Sequence, residues 1–261
     1  MQVLNTKSLK DTIINRLRDH EFDNKILLLS KNPSDEVSYY KNVIIKRCKE
    51  FAIEYIDKEF ENETNEEILD FINSYNSKDG FIILSPFGDG EDLTVLKENI
   101  KLKDLDSFTY ISQGKIFDGN RNALPATARA IVRFMDNEKI DYKGKNIVIA
   151  NNTNIIGRPL ATYLATKRAS VRIINSLTKE SKSIIKNSDI FISAIGKAEY
   201  YDQSYFKDGS FIIDVGTSYK NGKIIGDIDY DSIANLDVKY LGSRNGIGSI
   251  TTITLVEGLI D

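Results

Sequence analysis

The chain has 261 residues, 41% hydrophobic and 28% charged, the balance of a folded protein with one large core or two smaller ones. Its 35 basic and 38 acidic residues are interspersed and leave a net charge of -3, so no polyanion-binding surface is expected. A single cysteine, Cys48, excludes an internal disulfide and a Cys-cluster zinc site, and a single histidine, His20, argues against His-dependent metal or triad chemistry.

The N-terminal stretch Met1 to Lys7 has no signal-peptide apolar region, and no run approaches the roughly 18 apolar residues of a membrane helix, so a cytoplasmic enzyme is expected. Leu9, Ile13, Ile14 and Leu17 fall on one side of a helix predicted over residues 7–19. Residues 25–30 carry Ile26-Leu27-Leu28-Leu29, a short buried strand. Asn32-Pro33-Ser34-Asp35 is turn and N-cap chemistry, opening a helix from about Ser34 to Phe51. A strand over residues 53–56 and a helix over 65–75, with Ile68, Leu69 and Ile72 on its face, come next. A strand over 80–84 ends at Ser85-Pro86. This alternation is the pattern of a parallel α/β sheet. Residues 104–108 read as a strand end and loop, and 127–135 as a helix leading out of the first half.

After Lys143-Gly144-Lys145, strands are predicted at 146–150, 170–174, 190–195 and 211–215, with helical segments between the first three. A helical turn over 227–234, a strand over 238–241 and a last helix over 250–260 complete the chain. Residues 147–150 are a β-branched strand, Asn151 to Asn154 a polar turn, and Ile155, Leu160 and Leu164 mark the helix that follows. That order is the first unit of a nucleotide-binding fold, with backbone N–H groups where a pyrophosphate would sit. Only Gly157 remains of a G-x-G-x-x-G pattern. Two α/β lobes imply a ligand cleft between them.

Five stretches recur in a known order: Ile147-Val-Ile through Ile155-Ile-Gly-Arg-Pro159, Ser188-Asp-Ile with Ala194-Ile-Gly-Lys197, Ile213-Asp-Val-Gly216, Gly222-Lys-Ile-Ile-Gly-Asp227, and Gly246-Ile-Gly248 with Thr251 and Thr254-Leu-Val-Glu257. Asn32-Pro33 before Tyr40, Asp79-Gly80 to Pro86, Lys103-Asp104-Leu105-Asp106 and Pro125-Ala126-Thr127 extend the pattern over the first half. In these motifs the chain resembles the methylenetetrahydrofolate dehydrogenase/cyclohydrolase family. The family turn Gly-Arg/Ala-Ser-x-x-Val-Gly stands here as Asn151-Asn152-Thr153-Asn154-Ile155-Ile156-Gly157, which accounts for the missing glycines.

The resemblance implies an α/β fold of two lobes. An N-terminal α/β folate-binding domain takes residues 1–136 and 250–261, with the C-terminal helix returning to it, and a Rossmann-like dinucleotide-binding domain takes 137–249. It implies NADP as cofactor, a tetrahydrofolate-type substrate and a homodimer, with no metal, nucleic acid or membrane partner. Tyr40 and Asp106 fall on the catalytic side. Ile44, four residues past Tyr40, replaces the family's proton-handling Lys, and Leu84 replaces its Gln. Lys46 faces about 200° away from Ile44, leaving Lys41 on an adjacent face as the nearby substitute.

On the cofactor side the resemblance points to Asn151, Asn152, Thr153, Gly157, Arg158, Gly196 and Thr217. No acid follows the second strand to hold a ribose 2′-hydroxyl, and Ser176, Thr178 and Lys179 suit a 2′-phosphate, which favours NADP over NAD. The late loop Arg244-Asn245-Gly246-Ile247-Gly248-Ser249 lacks both prolines and one glycine of the family's Pro-Gly-Gly-Val-Gly-Pro. The expectation is an NADP-dependent methylenetetrahydrofolate dehydrogenase of one-carbon metabolism, with cyclohydrolase activity reduced or absent. The alternative is a non-catalytic or repurposed homologue that binds nucleotide or a partner.

Overall fold

A computed structural model describes residues 1–88, 90–220 and 222–261. In chain order the elements are β1 (Gln2–Leu4), α1 (Lys7–Arg18), β2 (Lys25–Lys31), α2 (Asp35–Glu50), β3 (Glu54–Phe60), α3 (Asn65–Asn73), β4 (Gly80–Ile83), α4 (Thr94–Asn99), β5 (Lys103–Asp104), α5 (Tyr110–Phe117) and α6 (Ala126–Asn137). The second half continues with β6 (Asn146–Ala150), α7 (Gly157–Thr166), β7 (Ser170–Ile174), α8 (Ser181–Lys186), β8 (Ile190–Ser193), β9 (Phe211–Asp214), β10 (Ser218–Lys220), β11 (Lys223–Ile225), β12 (Lys239–Leu241) and α9 (Gly248–Glu257). The chain divides into two compact units, residues 1–11, 117–121 and 127–251 in one, and 12–116, 122–126 and 252–261 in the other.

The second of these units holds a parallel sheet in the order β3-β2-β4-β5. Leu27, Leu29, Phe60, Ile68, Ile72, Phe81 and Leu96 form one of its cores. Its helices start where local chemistry dictates: Ser34 Oγ accepts the N–H of Val37 at the head of α2, and Thr64 and Glu67 form a reciprocal capping box on α3. Residues 252–261 belong to this unit, and Arg16 of α1 bonds Glu257 and Asp261 at 3.1 and 2.6 Å.

The other unit carries a six-stranded parallel sheet in the order β1-β12-β9-β8-β6-β7. For the five strands after residue 145 this is a doubly wound order whose direction reverses at β6 and β8. Ligands of such sheets bind outside the carboxyl ends of the strands at that reversal. Val148, Ile174, Phe191, Ile212, Ile233 and Val238 pack one face.

Several sequence expectations need adjusting. The helical turn expected over 227–234 is confined to turns at residues 230–235, because Asp227 and Ile228 are drawn into a buried hydrogen-bond network and Ile228 bridges Tyr201. β1 pairs with β12, so residues 2–4 join the sheet of the second half and not that of the first. The β10–β11 hairpin, α4 and α5 are additional elements. Among the described residues no helix is long and apolar enough to cross a membrane.

Candidate functional site

At the carboxyl end of β6 the polar turn is organised by one side chain, Asn151. Its Oδ1 accepts from Thr153 N, Thr153 Oγ1 and Gly157 N at 2.9, 2.8 and 3.0 Å, and its Nδ2 donates to Ala194 O at 2.8 Å. Asn151 therefore caps α7 and ties the end of β6 to the end of β8, across the sheet reversal. Gly157 is required there: a Cβ on it would lie 1.8 Å from the Asn151 carbonyl oxygen. This is the close strand–helix approach for which dinucleotide-binding turns use glycine.

The turn spends part of its own donor set. Thr153 gives its N–H and hydroxyl to Asn151, Ile156 N donates to Thr153 Oγ1, and Arg158 N to Thr153 O. Among the described residues the amides of Asn152, Asn154 and Ile155 keep no partner within the chain. The sequence places Thr153 beside phosphate as a donor; the structure makes it mainly a bracket of the turn. The Arg158 guanidinium folds back over the same turn, with Nε on Asn152 Oδ1 at 3.1 Å and Nη1 on Asn154 Oδ1 at 2.8 Å.

Ala150 of β6 stands opposite Ile174 of β7, so Asn151-Asn152 and Asn175-Ser176 leave the sheet side by side. Thr178 Oγ1 accepts from Asn175 N, and Ser176 is exposed. After β8, Gly196 has φ +66°, and a Cβ there would meet only the Thr217 carbonyl, at 3.7 Å. Gly196 and Thr217 are thus neighbours, and Thr217 is exposed.

Beneath these loops lies a buried carboxylate pair that sequence reading leaves without a role. Asp227 accepts from Ser193 Oγ at 2.6 Å and from Ile195 N and Lys197 N at 2.8 Å. Asp214 accepts from Gly216 N, Asp227 N, Ile228 N and Tyr230 Oη. Burial pushes the Asp214 carboxyl up to about 6, against the pull of the Tyr230 hydrogen bond. Cβ atoms on Gly216 or Gly226 would strike Asp227 or Asp214 at 2.1 and 2.0 Å. The signal available in sequence is the pair Asp214-Val-Gly216 and Gly226-Asp227.

In the other unit, α2 presents Tyr40, Lys41 and Ile44. Tyr40 is half-buried, and burial, followed by the negative charge of Asp106, raises its phenol above the ordinary value. Asp106 Oδ1 accepts Ala126 N at 2.6 Å. Ile44 is 0% exposed and Leu84 2%. Lys41 is buried with its ammonium 3.0 Å from Asp57 and 3.5 Å from Glu59 on β3, so its charge is already matched. Among the described residues no group of three His, Cys, Asp or Glu is placed to hold a metal ion.

A family model described as "Tetrahydrofolate dehydrogenase/cyclohydrolase, NAD(P)-binding domain" matches residues 125–261. The chain belongs to the tetrahydrofolate dehydrogenase/cyclohydrolase family. The bifunctional protein FolD of Clostridium beijerinckii is 32% identical over 84% of this chain and 79% of its own length. That of Clostridium botulinum (strain 657) is 30% identical over 95% and 90%. The bifunctional enzyme FolD-methylenetetrahydrofolate dehydrogenase/cyclohydrolase from Campylobacter jejuni superposes with a TM-score of 0.90 at 25% identity, over 100% of this chain and 97% of that one. The fold is shared with the Trypanosoma brucei methylenetetrahydrofolate dehydrogenase-cyclohydrolase complexed with NADP and inhibitor, with a TM-score of 0.84 at 21% identity over 99% and 95%. The Asn151–Gly157 turn lies within the residues that match this NAD(P)-binding domain.

Proposed function

We propose that this protein is an NADP-dependent 5,10-methylenetetrahydrofolate dehydrogenase of one-carbon metabolism that no longer hydrolyses its methenyl product. The observation that carries the reading is the pair Ile44 and Leu84. Both are buried aliphatic side chains at the positions where the family resemblance puts a proton-handling Lys and Gln, while the dinucleotide-binding sheet and its turn are kept.

The two reactions ask different things of the chain. Loss of hydride from the methylene bridge needs two rings held in register and little proton handling. When bound, NADP supplies the acceptor for that hydride. The chain's residues fit the group: Gly157 lets α7 start against β6, the Asn152 and Ile155 amides and the Arg158 guanidinium remain available to phosphate, and Gly196 and Thr217 edge the sheet reversal. Tyr40 and Asp106 remain to hold the pterin. Hydrolysis needs a group that takes a proton from attacking water. Ile44 and Leu84 cannot do so, and Lys41 is held by Asp57 and Glu59.

A homodimer belongs to the same reading. Tyr219 and Ile224 face each other across the β10–β11 hairpin and are both exposed, an apolar pair suited to burial against a second copy.

The test is to mix the purified chain with methylenetetrahydrofolate and NADP. NADPH formation with a methenyl product that decays no faster than without protein is expected. No turnover with either NADP or NAD would instead favour a non-catalytic nucleotide-binding homologue.

A further inference from the structure

We infer that Thr6 is a positioning residue for hydride transfer, holding the loop 243–249 in the shape that the reaction needs; the inference rests on the dehydrogenase reading above. β12 runs parallel to β9, β9 to β8 and β8 to β6, so this loop leaves the same carboxyl edge as the Asn151–Gly157 turn and the segments around Gly196 and Gly216. Ligands of doubly wound sheets gather along that edge. The adenosine end of a dinucleotide lies beside the second strand, here β7, and β12 stands on the other side of the reversal. The loop therefore belongs to the redox end of the cofactor.

Its own sequence does little to fix it. Arg244-Asn245-Gly246-Ile247-Gly248-Ser249 contains no proline to restrict φ, and Asn245 stands in the left-handed region at +56°. The shape is set from outside, at both ends. At the start, Ser243 N donates to Tyr230 Oη at 3.1 Å, and Tyr230 in turn donates to Asp214. Further on, a single side chain serves. Thr6 is 2% exposed, and its Oγ1 lies 2.9 Å from Asn245 O, 3.4 Å from Gly246 O and 2.8 Å from Ser249 Oγ. Its N–H adds a bond to Asn245 O at 3.4 Å. The hydroxyl has one proton; given to Asn245 O, it leaves the lone pairs open to the Ser249 hydroxyl. Between the anchors Gly246 packs on Gly242, where a Cβ would lie 2.0 Å from the carbonyl oxygen, an approach only glycine allows. The two anchors differ in kind. Tyr230 belongs to the buried Asp214 network, and its loss would disturb the core. Thr6 acts through one hydroxyl on an exposed residue, Asn245, which water reaches. Removing that hydroxyl frees the loop and leaves the fold.

The test compares the unaltered chain with Thr6→Val, which keeps the branched shape and loses the hydroxyl, and Thr6→Ser, which keeps the hydroxyl. Arg244 is exposed within the loop, so trypsin reports the loop's freedom directly. Thr6→Val should speed cleavage after Arg244 by about tenfold without speeding cleavage elsewhere, and Thr6→Ser should stay within about twofold of the unaltered chain. With methylenetetrahydrofolate and NADP, Thr6→Val should lower kcat/KM for NADPH formation by about tenfold, again recovered by Thr6→Ser. Calorimetry should show 2′,5′-ADP bound as before, because that fragment occupies only the adenosine end. Unchanged turnover, or unchanged cleavage after Arg244, in Thr6→Val would overturn the inference. Faster cleavage throughout the chain together with weaker 2′,5′-ADP binding would also overturn it, as the mark of a merely structural role. These results leave the dehydrogenase reading standing. No NADPH formation by the unaltered chain would overturn that reading and the inference with it.

Discussion

Ile44 is enclosed in the packing of α2, with none of its side chain exposed. Truncation to Ala removes buried carbons and leaves a cavity, so unfolding in denaturant should show a loss of about 2–4 kcal/mol, and Ile44→Val about 1 kcal/mol. Gly157→Ala should be worse than its size suggests. Its Cβ would fall 1.8 Å from a backbone oxygen that cannot swing away, so the turn must open, and stability and NADP binding should drop together. Residue identities at these places are legible in the chain, and their roles less so. Lys41 shows the limit: its neighbourhood to Tyr40 can be counted along a helix, but its partners Asp57 and Glu59 come from a strand paired beyond it. The Asn151 side chain likewise finds its partners, Thr153, Gly157 and Ala194, only once the turn is folded against β8.

The elements were readable wherever apolar periodicity was strong. The strands at 146–150 and 170–174 and the Ser34 cap need nothing beyond local sequence. β1 was hidden because three residues, mostly exposed, gain their strand character only from β12. The hairpin of β10 and β11 escaped for the same reason. The loop at 244–249 shows tertiary contact replacing local rigidity: Thr6, just after β1, donates its hydroxyl to Asn245 O at 2.9 Å and meets Ser249 Oγ at 2.8 Å. The Asp214–Asp227 network joins β8, β9 and the 226–230 segment, and it makes stability depend on pH. The folded chain holds the Asp214 proton up to about 6, whereas an unfolded carboxyl releases it near 4, so this group's contribution is fully present below that lower value and is lost as pH rises through about 6. The unfolding free energy of the native chain, relative to Asp214→Asn, should therefore fall by about 2 kcal/mol between pH 4 and pH 7. A flat difference across that range would mean that Asp214 is ionised throughout.

On the scale of the entire chain, two parallel sheets, one of them doubly wound, and the membership of residues 252–261 in the unit of the four-stranded sheet make up a fold shared with a tetrahydrofolate dehydrogenase/cyclohydrolase of known structure. Light scattering should report a mass near twice 29.5 kDa, and replacing Tyr219 and Ile224 with charged residues should shift it toward a single chain. Fold alone does not fix which of the family's two reactions survives, because both use the same scaffold. In the reading proposed above, that difference rests on Ile44 and Leu84, both buried aliphatic side chains. The decisive measurement follows both stages in one cuvette, with methylenetetrahydrofolate and NADP present and the methenyl product monitored after NADPH formation ends. NADPH should accumulate while the methenyl compound decays at its spontaneous rate. Enzyme-accelerated decay, rising in proportion to the amount of protein, would mean that a proton-handling group remains and that Ile44 does not silence the hydrolysis.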